Sequence, residues 1–158
     1  MNNILMQALQ DQLTMERQNA AIYDALSAAL DVVFWDGSSK FMKHSANEER
    51  EHADKFCGYI IDRLGMPQFS ALDGCNVPSG DDLALYFELA LQREKMTTQA
   101  INTLCYVADE AEDPQTKAFL IPFLDEQTKS ERELSDYVMM LKRLDNNGRI
   151  VFDKELQK

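Results

Sequence analysis

The chain has 158 residues, of which 45 % are hydrophobic and 27 % charged, an ordinary composition for a single globular domain over 1–158. Asp and Glu number 27 against 16 Lys and Arg, a formal net charge of −11, which argues against nucleic acid or an anionic membrane surface as partner. Cations are the more natural ligand, and with only six Gly and four Pro the chain is predicted to run in a few long helices rather than closely spaced strands.

Cys57, Cys75 and Cys105 are odd in number and far apart, so they form neither a disulfide framework nor a CxxC motif, and a reducing compartment is predicted. The start, Met1 to Gln7, has no basic stretch followed by a long apolar run, and nothing elsewhere reaches the length of a membrane span. A soluble, cytoplasmic protein is the expectation.

The first helix is predicted over about residues 4–33, where Leu5, Leu9, Leu13, Ala20, Tyr23, Ser27 and Leu30 share one face. Asp36-Gly37-Ser38-Ser39 has loop composition and serines able to cap the next helix. That second helix, about 39–64, carries Met42, Ala46, Ala53, Phe56, Tyr59 and Ile60 and is expected to end at Gly65 with Pro67 just beyond. Residues 65–80 form the one long connection. A third helix, about 81–109, places Leu83, Phe87, Ala90, Leu91, Thr98, Ile101 and Cys105 together, and Asp113-Pro114 reads as the start of a fourth, about 114–144. Leu120, Phe123, Leu124, Leu134, Val138 and Leu141 make its stripe, Asn146-Asn147-Gly148 its stop, and the tail beyond is read as a short fifth helix. Segments of roughly 28 residues span on the order of 40 Å, which suits an antiparallel four-helix bundle with one long crossover.

The informative positions are those where an apolar stripe is broken by a polar group near mid-length. Glu16 follows Leu9 by seven and Leu13 by three, and precedes Ala20 by four and Tyr23 by seven, so it points inward. Glu94 is placed the same way between Phe87, Leu91, Thr98 and Ile101. Glu49 and His52 form an i, i+3 pair between Ala46 and Phe56, and Gln127 lies among Phe123, Leu124 and Leu134. Three carboxylates in one core repel each other and resist ionisation unless a cation joins them. Three carboxylates and one imidazole are a hard donor set suited to iron or manganese, too poor in His and Cys for structural zinc. Only one Glu-x-x-His is present, so one tight and one loose metal position are predicted. Tyr23 is by default a packed aromatic; near a metal it would hydrogen-bond a ligand or donate an electron. His44 and the Glu48-Glu49-Arg50-Glu51 run are otherwise a solvated face, from which Glu49 alone is drawn inward.

Asn47-Glu48-Glu49-Arg50-Glu51-His52-Ala53-Asp54-Lys55 resembles the second-helix signature of the non-haem ferritins. Leu91-Gln92-Arg93-Glu94, Asp125-Glu126-Gln127, Glu16 with Tyr23, and the late Phe152-Asp153-Lys154-Glu155-Leu156 resemble the family's other segments, and the resemblance extends over essentially the whole chain. It implies an all-α, ferritin-like antiparallel four-helix bundle with a single crossover and a short C-terminal helix. It also implies a cytoplasmic ferroxidase that oxidises Fe(II) with O2 or H2O2 at a di-iron centre and stores ferric mineral in a hollow shell of 24 subunits. On the same grounds Glu16, Glu49 and His52 hold the first iron, Glu49 bridges, and Glu94 with Gln127 holds the second. Glu48 and Glu126 would contribute to a third site, but Ser130 stands where many bacterial members have another Glu, so that site is predicted to be weaker or differently built. Bacterioferritins carry a second Glu-x-x-His and a haem-binding Met where this chain has Ser130 and Arg50, so no haem is expected. Lys117 and Leu120 stand at the positions matching the acidic threefold channel of animal ferritins, which puts iron's passage by that route in question. Pro122 is expected to kink the fourth helix about one turn before Gln127. Two alternatives are a rubrerythrin-like di-iron oxidase or peroxidase, whose CxxC pair and second Glu-x-x-His are missing, and an inert cage subunit, against which the full ligand set argues.

Overall fold

The computed structural model describes residues 2–157 and contains, in chain order, α1 (Asn3–Val32), α2 (Asp36–Asp62), α3 (Leu83–Glu110), α4 (Pro114–Arg143) and α5 (Asn146–Glu155). None of these helices is long and apolar enough to cross a membrane. Side-chain bridges between helices descend one helix as they climb the next. Ser27 meets Ser39 while Asn19 meets Glu49 across α1 and α2; Lys142 meets Glu88 while Lys117 meets Asp109 across α3 and α4. Neighbouring helices are therefore antiparallel, the predicted bundle.

Residues 63–82 run along the length of α1, held by its polar side chains. Gln10 donates to the Met66 carbonyl and accepts from the Gln68 N–H, Arg17 donates to Ser70, and Gln18 clasps Asp73 from both sides. At the far end the Trp35 indole donates to the Asp81 carbonyl at 3.0 Å. This connection carries the chain from the end of α2 back to the opposite end of the bundle.

Three boundaries differ from expectation, two of them at contacts remote in sequence and the third at a local cap. Residues 36–39 form the first turn of α2 and not a loop, because the Asp153 carboxylate of α5 accepts from the Gly37 and Ser38 N–H groups and the Ser38 hydroxyl at 2.6–3.0 Å. Those amides lie at a helix N-terminus, where an anion satisfies them. Gly37 is needed there, since a Cβ would lie 1.8 Å from the Asp153 carbonyl oxygen. At the end of α2 the left-handed residue is Leu64 (φ 62°), while Gly65 donates to the Ile60 carbonyl and packs so closely on Met6 that a Cβ would lie 2.6 Å from its methyl. Asn146-Asn147-Gly148 begins α5, with Asp145 as its cap accepting from the Gly148 N–H at 2.8 Å. The predicted Asp113 cap and Pro114 start of α4 agree with the structure. α4 is continuous through Pro122, whose missing N–H takes the helical hydrogen bond from the carbonyl of exposed Ala118.

The core is in two parts. One end holds Leu26, Leu30, Met42, Leu83, Phe87, Leu141 and Phe152; the other holds Leu5, Leu9, Leu13, Phe56, Ile60, Ile101, Leu104 and Leu120. Between them lies a layer of buried polar side chains.

Candidate metal centre

That layer is built by one or two residues from each long helix. α1 supplies Glu16 and Asn19, α2 Glu49 and His52, α3 Glu94 and Thr97, and α4 Gln127. Every one except His52 is at most 4 % exposed, and the His52 side chain is 12 % exposed. A helix repeats its face every three or four residues, so the inward direction at mid-length is inherited from the apolar stripes on either side.

Glu16, Glu49 and His52 offer ligand atoms that all lie within 4.8 Å of one another, a group of three able to hold a metal ion. His52 Nδ1 faces Glu16 Oε2 at 3.9 Å and Glu49 Oε2 at 3.8 Å, too long for hydrogen bonds and open enough for an ion between them. His52 Nε2 lies 2.6 Å from Glu126 Oε2, and its ring packs edge-on against Phe123. With Nε2–H donated to Glu126, the Nδ1 lone pair is directed at the two carboxylates, an arrangement that orients a metal-binding imidazole. Glu16 Oε1 accepts from Gln12 Nε2 at 2.7 Å, whereas its buried Oε2 meets no hydrogen-bond donor among the described residues. An orphaned buried carboxylate oxygen beside an imidazole lone pair is the observation that most plainly calls for a cation.

Glu94 stands across this group. Its Oε1 accepts from the Tyr23 hydroxyl at 2.5 Å and its Oε2 from Gln127 Nε2 at 2.9 Å. Gln127 also donates to the Glu94 carbonyl and to Thr98. Tyr23 is thus the hydrogen-bond donor to a carboxylate ligand candidate, buried at the edge of the apolar core.

Electrostatics mark the cluster as incomplete without positive charge. Burial, then the charge of Glu49, pushes the Glu16 carboxyl well above its ordinary value. Burial also drives Glu49 upward, but the hydrogen bonding and charge of His52, the proton that Glu16 keeps between the two carboxyls, and the Asn19 amide outweigh it and hold Glu49 below its ordinary value. Burial and the Glu49 charge push Glu94 up to about 7. For His52, burial favours the neutral ring, yet Glu49 and Glu126 prevail and raise it. Burial and the adjacent Glu94 raise the Tyr23 phenol well above its ordinary value. The proton that burial and Glu49 hold on Glu16 is what a bound cation would displace.

A cavity of about 700 Å³ reaches this layer, with α2 and α4 forming most of its wall. Tyr23, Glu49, His52, Glu94 and Gln127 lie on its lining, with Glu48, Glu126, Lys129 and Ser130. Glu48 is exposed and pairs with His44 at 3.4 Å, and Glu126 is committed to His52 with Lys55 at 3.9 Å. The structure therefore assigns Glu126 a contact with the triad and leaves Glu48 on the exposed side of the cavity wall. Sequence reasoning missed Gln12, Asn19, Thr97 and Arg93. Gln12 and Asn19 stand four before and three after Glu16, the positions that share its face, and that spacing is the signal that could have found them.

A Ferritin-like domain model matches residues 6–144. The chain is 37 % identical to a chloroplastic ferritin of Malus baccata var. xiaojinensis over 161 residues, a match that takes in 94 % of this chain and 63 % of that longer protein. It is 32 % identical to a bacterial non-heme ferritin of Staphylococcus aureus over 154 residues, covering 96 % of this chain and 92 % of that one. Among solved structures, the open-pore protein of the hyperthermophilic archaeon Archaeoglobus fulgidus superimposes with a TM-score of 0.93 at 27 % identity, covering 99 % and 97 % of the two chains.

Proposed function

The chain belongs to the ferritin family, as a protein of the non-heme kind, and from that premise we propose that it is a ferroxidase and iron store. Fe(II) is the substrate. Glu16, Glu49 and His52 bind one ion, Glu49 bridges, and Glu94 with Gln127 binds the second more weakly. The observation that carries this reading is the buried Glu16 Oε2, which meets no hydrogen-bond donor among the described residues and faces His52 Nδ1 at 3.9 Å.

In this reading each Fe(II) gives up one electron, and O2 with two protons leaves as H2O2, or H2O2 with two protons leaves as two waters. Glu126 keeps the His52 Nδ1 lone pair aimed at the metal. Tyr23 holds Glu94 in place through its hydroxyl, and the cavity beside α2 and α4 connects the centre with the surface. The ferric product then collects as mineral inside a shell of 24 copies. Glu48 and Glu126 contribute to a third iron position only weakly, since Ser130 has no carboxylate and Glu126 is engaged by His52.

The test is anaerobic Fe(II) titration of the metal-free protein followed by mixing with O2, with Glu94→Ala alongside. Rapid ferric absorbance at about two irons per chain, lost in the variant, is expected. Equal slow autoxidation in both would overturn the enzyme reading. A particle of roughly 430 kDa, twenty-four times the 18.1 kDa chain, is expected by size exclusion with light scattering.

A further inference from the structure

One buried amide on α1 touches two of the other three helices that carry the metal-binding side chains, α2 and α3. Asn19, on α1 and 1 % exposed, donates from Nδ2 to Thr97 Oγ1 at 2.8 Å and to Glu49 Oε2 at 3.4 Å. Its Oδ1 accepts from Arg93 Nε at 3.2 Å and Nη2 at 2.7 Å. The orientation of this amide is decided by chemistry. A guanidinium only donates, so Arg93 must face the Asn19 oxygen; a carboxylate only accepts, so Glu49 must face the Asn19 nitrogen. Thr97 agrees, because its single hydroxyl proton goes to the Arg93 carbonyl at 3.0 Å and leaves its oxygen to accept. Every polar atom of the Asn19 side chain is committed.

We propose that Asn19, oriented by Arg93, is a positioning residue that sets the Glu49 carboxylate for bridging two Fe(II) ions. The proposal rests on the di-iron reading above. A bridging carboxylate must present one oxygen to each ion, so rotation about its last torsion removes the bridge. Asn19 donates to Oε2 at 3.4 Å, the same oxygen that faces His52 Nδ1 at 3.8 Å, and so resists that rotation. Arg93 strengthens the grip in two ways. Its fork forbids the amide flip that would point Oδ1 at the carboxylate, and its charge polarises the Asn19 N–H groups toward Glu49. Arg93 itself is only partly buried, and its guanidinium acts on Glu49 through Asn19.

Co(II) binding tests this without turnover, since the ion reports its ligands through visible absorption. Metal-free wild type, Asn19→Ala, Arg93→Leu and the double variant are titrated by absorption and calorimetry, with melting temperatures measured alongside. Asn19→Ala is expected to weaken Co(II) binding tenfold or more and to alter the band shape. Arg93→Leu is expected to weaken it in the same direction, and the double variant to bind no more weakly than Asn19→Ala, because Arg93 works through that amide. Wild-type affinity and spectrum in both single variants, or losses that simply add, would overturn the proposal. Arg93→Leu, altered at the margin of the layer, carries the test if Asn19→Ala does not assemble. Failure of the underlying reading shows separately, as a wild-type chain that does not take up a pair of Co(II) ions.

Discussion

Replacing Glu94 by Gln should stabilise the metal-free protein while abolishing the proposed Fe(II) oxidation. The Glu94 carboxyl is pushed from 4.5 up to about 7 by burial and the Glu49 charge. Below pH 4.5 the side chain is protonated in both folded and unfolded chains and contributes nothing. Between 4.5 and about 7 the unfolded chain ionises while the folded one holds its proton, so stability falls as pH rises, and above 7 the loss is complete. At pH 8 that loss is about 3 kcal/mol. Glutamine carries no charge and keeps an oxygen for the Tyr23 hydroxyl, but the Gln127 amide must turn over to accept, which forfeits its donation to the Glu94 carbonyl and Thr98. Allowing about 1 kcal/mol for that rearrangement leaves a net gain of about 2 kcal/mol per chain at pH 8. In calorimetry of the metal-free protein this reads as a melting temperature higher by roughly 4–8 °C, shrinking to nothing or reversing near pH 5. Saturating Co(II) should reverse the order at pH 8, because only wild type gains a full ligand set. A variant no more stable than wild type at pH 8, or a difference independent of pH, would refute the view of Glu94 as a strained carboxylate awaiting a cation.

Glu126→Ala removes the acceptor 2.6 Å from His52 Nε2 and should weaken Co(II) binding about tenfold with little change in melting temperature, as measured by titration and calorimetry. Gly37→Ala places a methyl 1.8 Å from the Asp153 carbonyl, so α5 must move; a loss of about 2 kcal/mol and faster proteolysis within 146–155 are expected. Asp113→Ala removes both the α4 cap and the partner of Arg63, at 2.6–3.0 Å, for a loss of about 2 kcal/mol in denaturant unfolding at pH 7. The Arg63 guanidinium holds Asp113 well below the usual carboxylate range, so its contribution is present above about pH 4 and fades as the pH falls. The gap between wild type and Asp113→Ala should close accordingly in acid.

Periodicity, with Gly, Pro and capping residues between the stripes, located the four long helices and the crossover, and periodicity gave the inward direction of Glu16, Glu49, His52, Glu94 and Gln127, because a buried stripe repeating every 3.6 residues specifies the face of any polar residue within it. The residues that carry such a stripe are local, and so the stripe is legible in one dimension. Boundaries set by remote partners were not legible: α2 begins at Asp36 because the carboxylate of Asp153, at the other end of the chain, caps it, and Gly65 packs on Met6 rather than supplying the left-handed turn. The same limit governs the centre. Helical spacing places carboxylates inside the bundle, but it does not say that Tyr23 donates to Glu94, that Glu126 claims the outer nitrogen of His52, or that Arg93 reaches Glu49 through Asn19. Those pairings depend on the axial register of helices against one another. Register is settled only when two apolar cores, one at each end, pack and bring the polar layer into line between them.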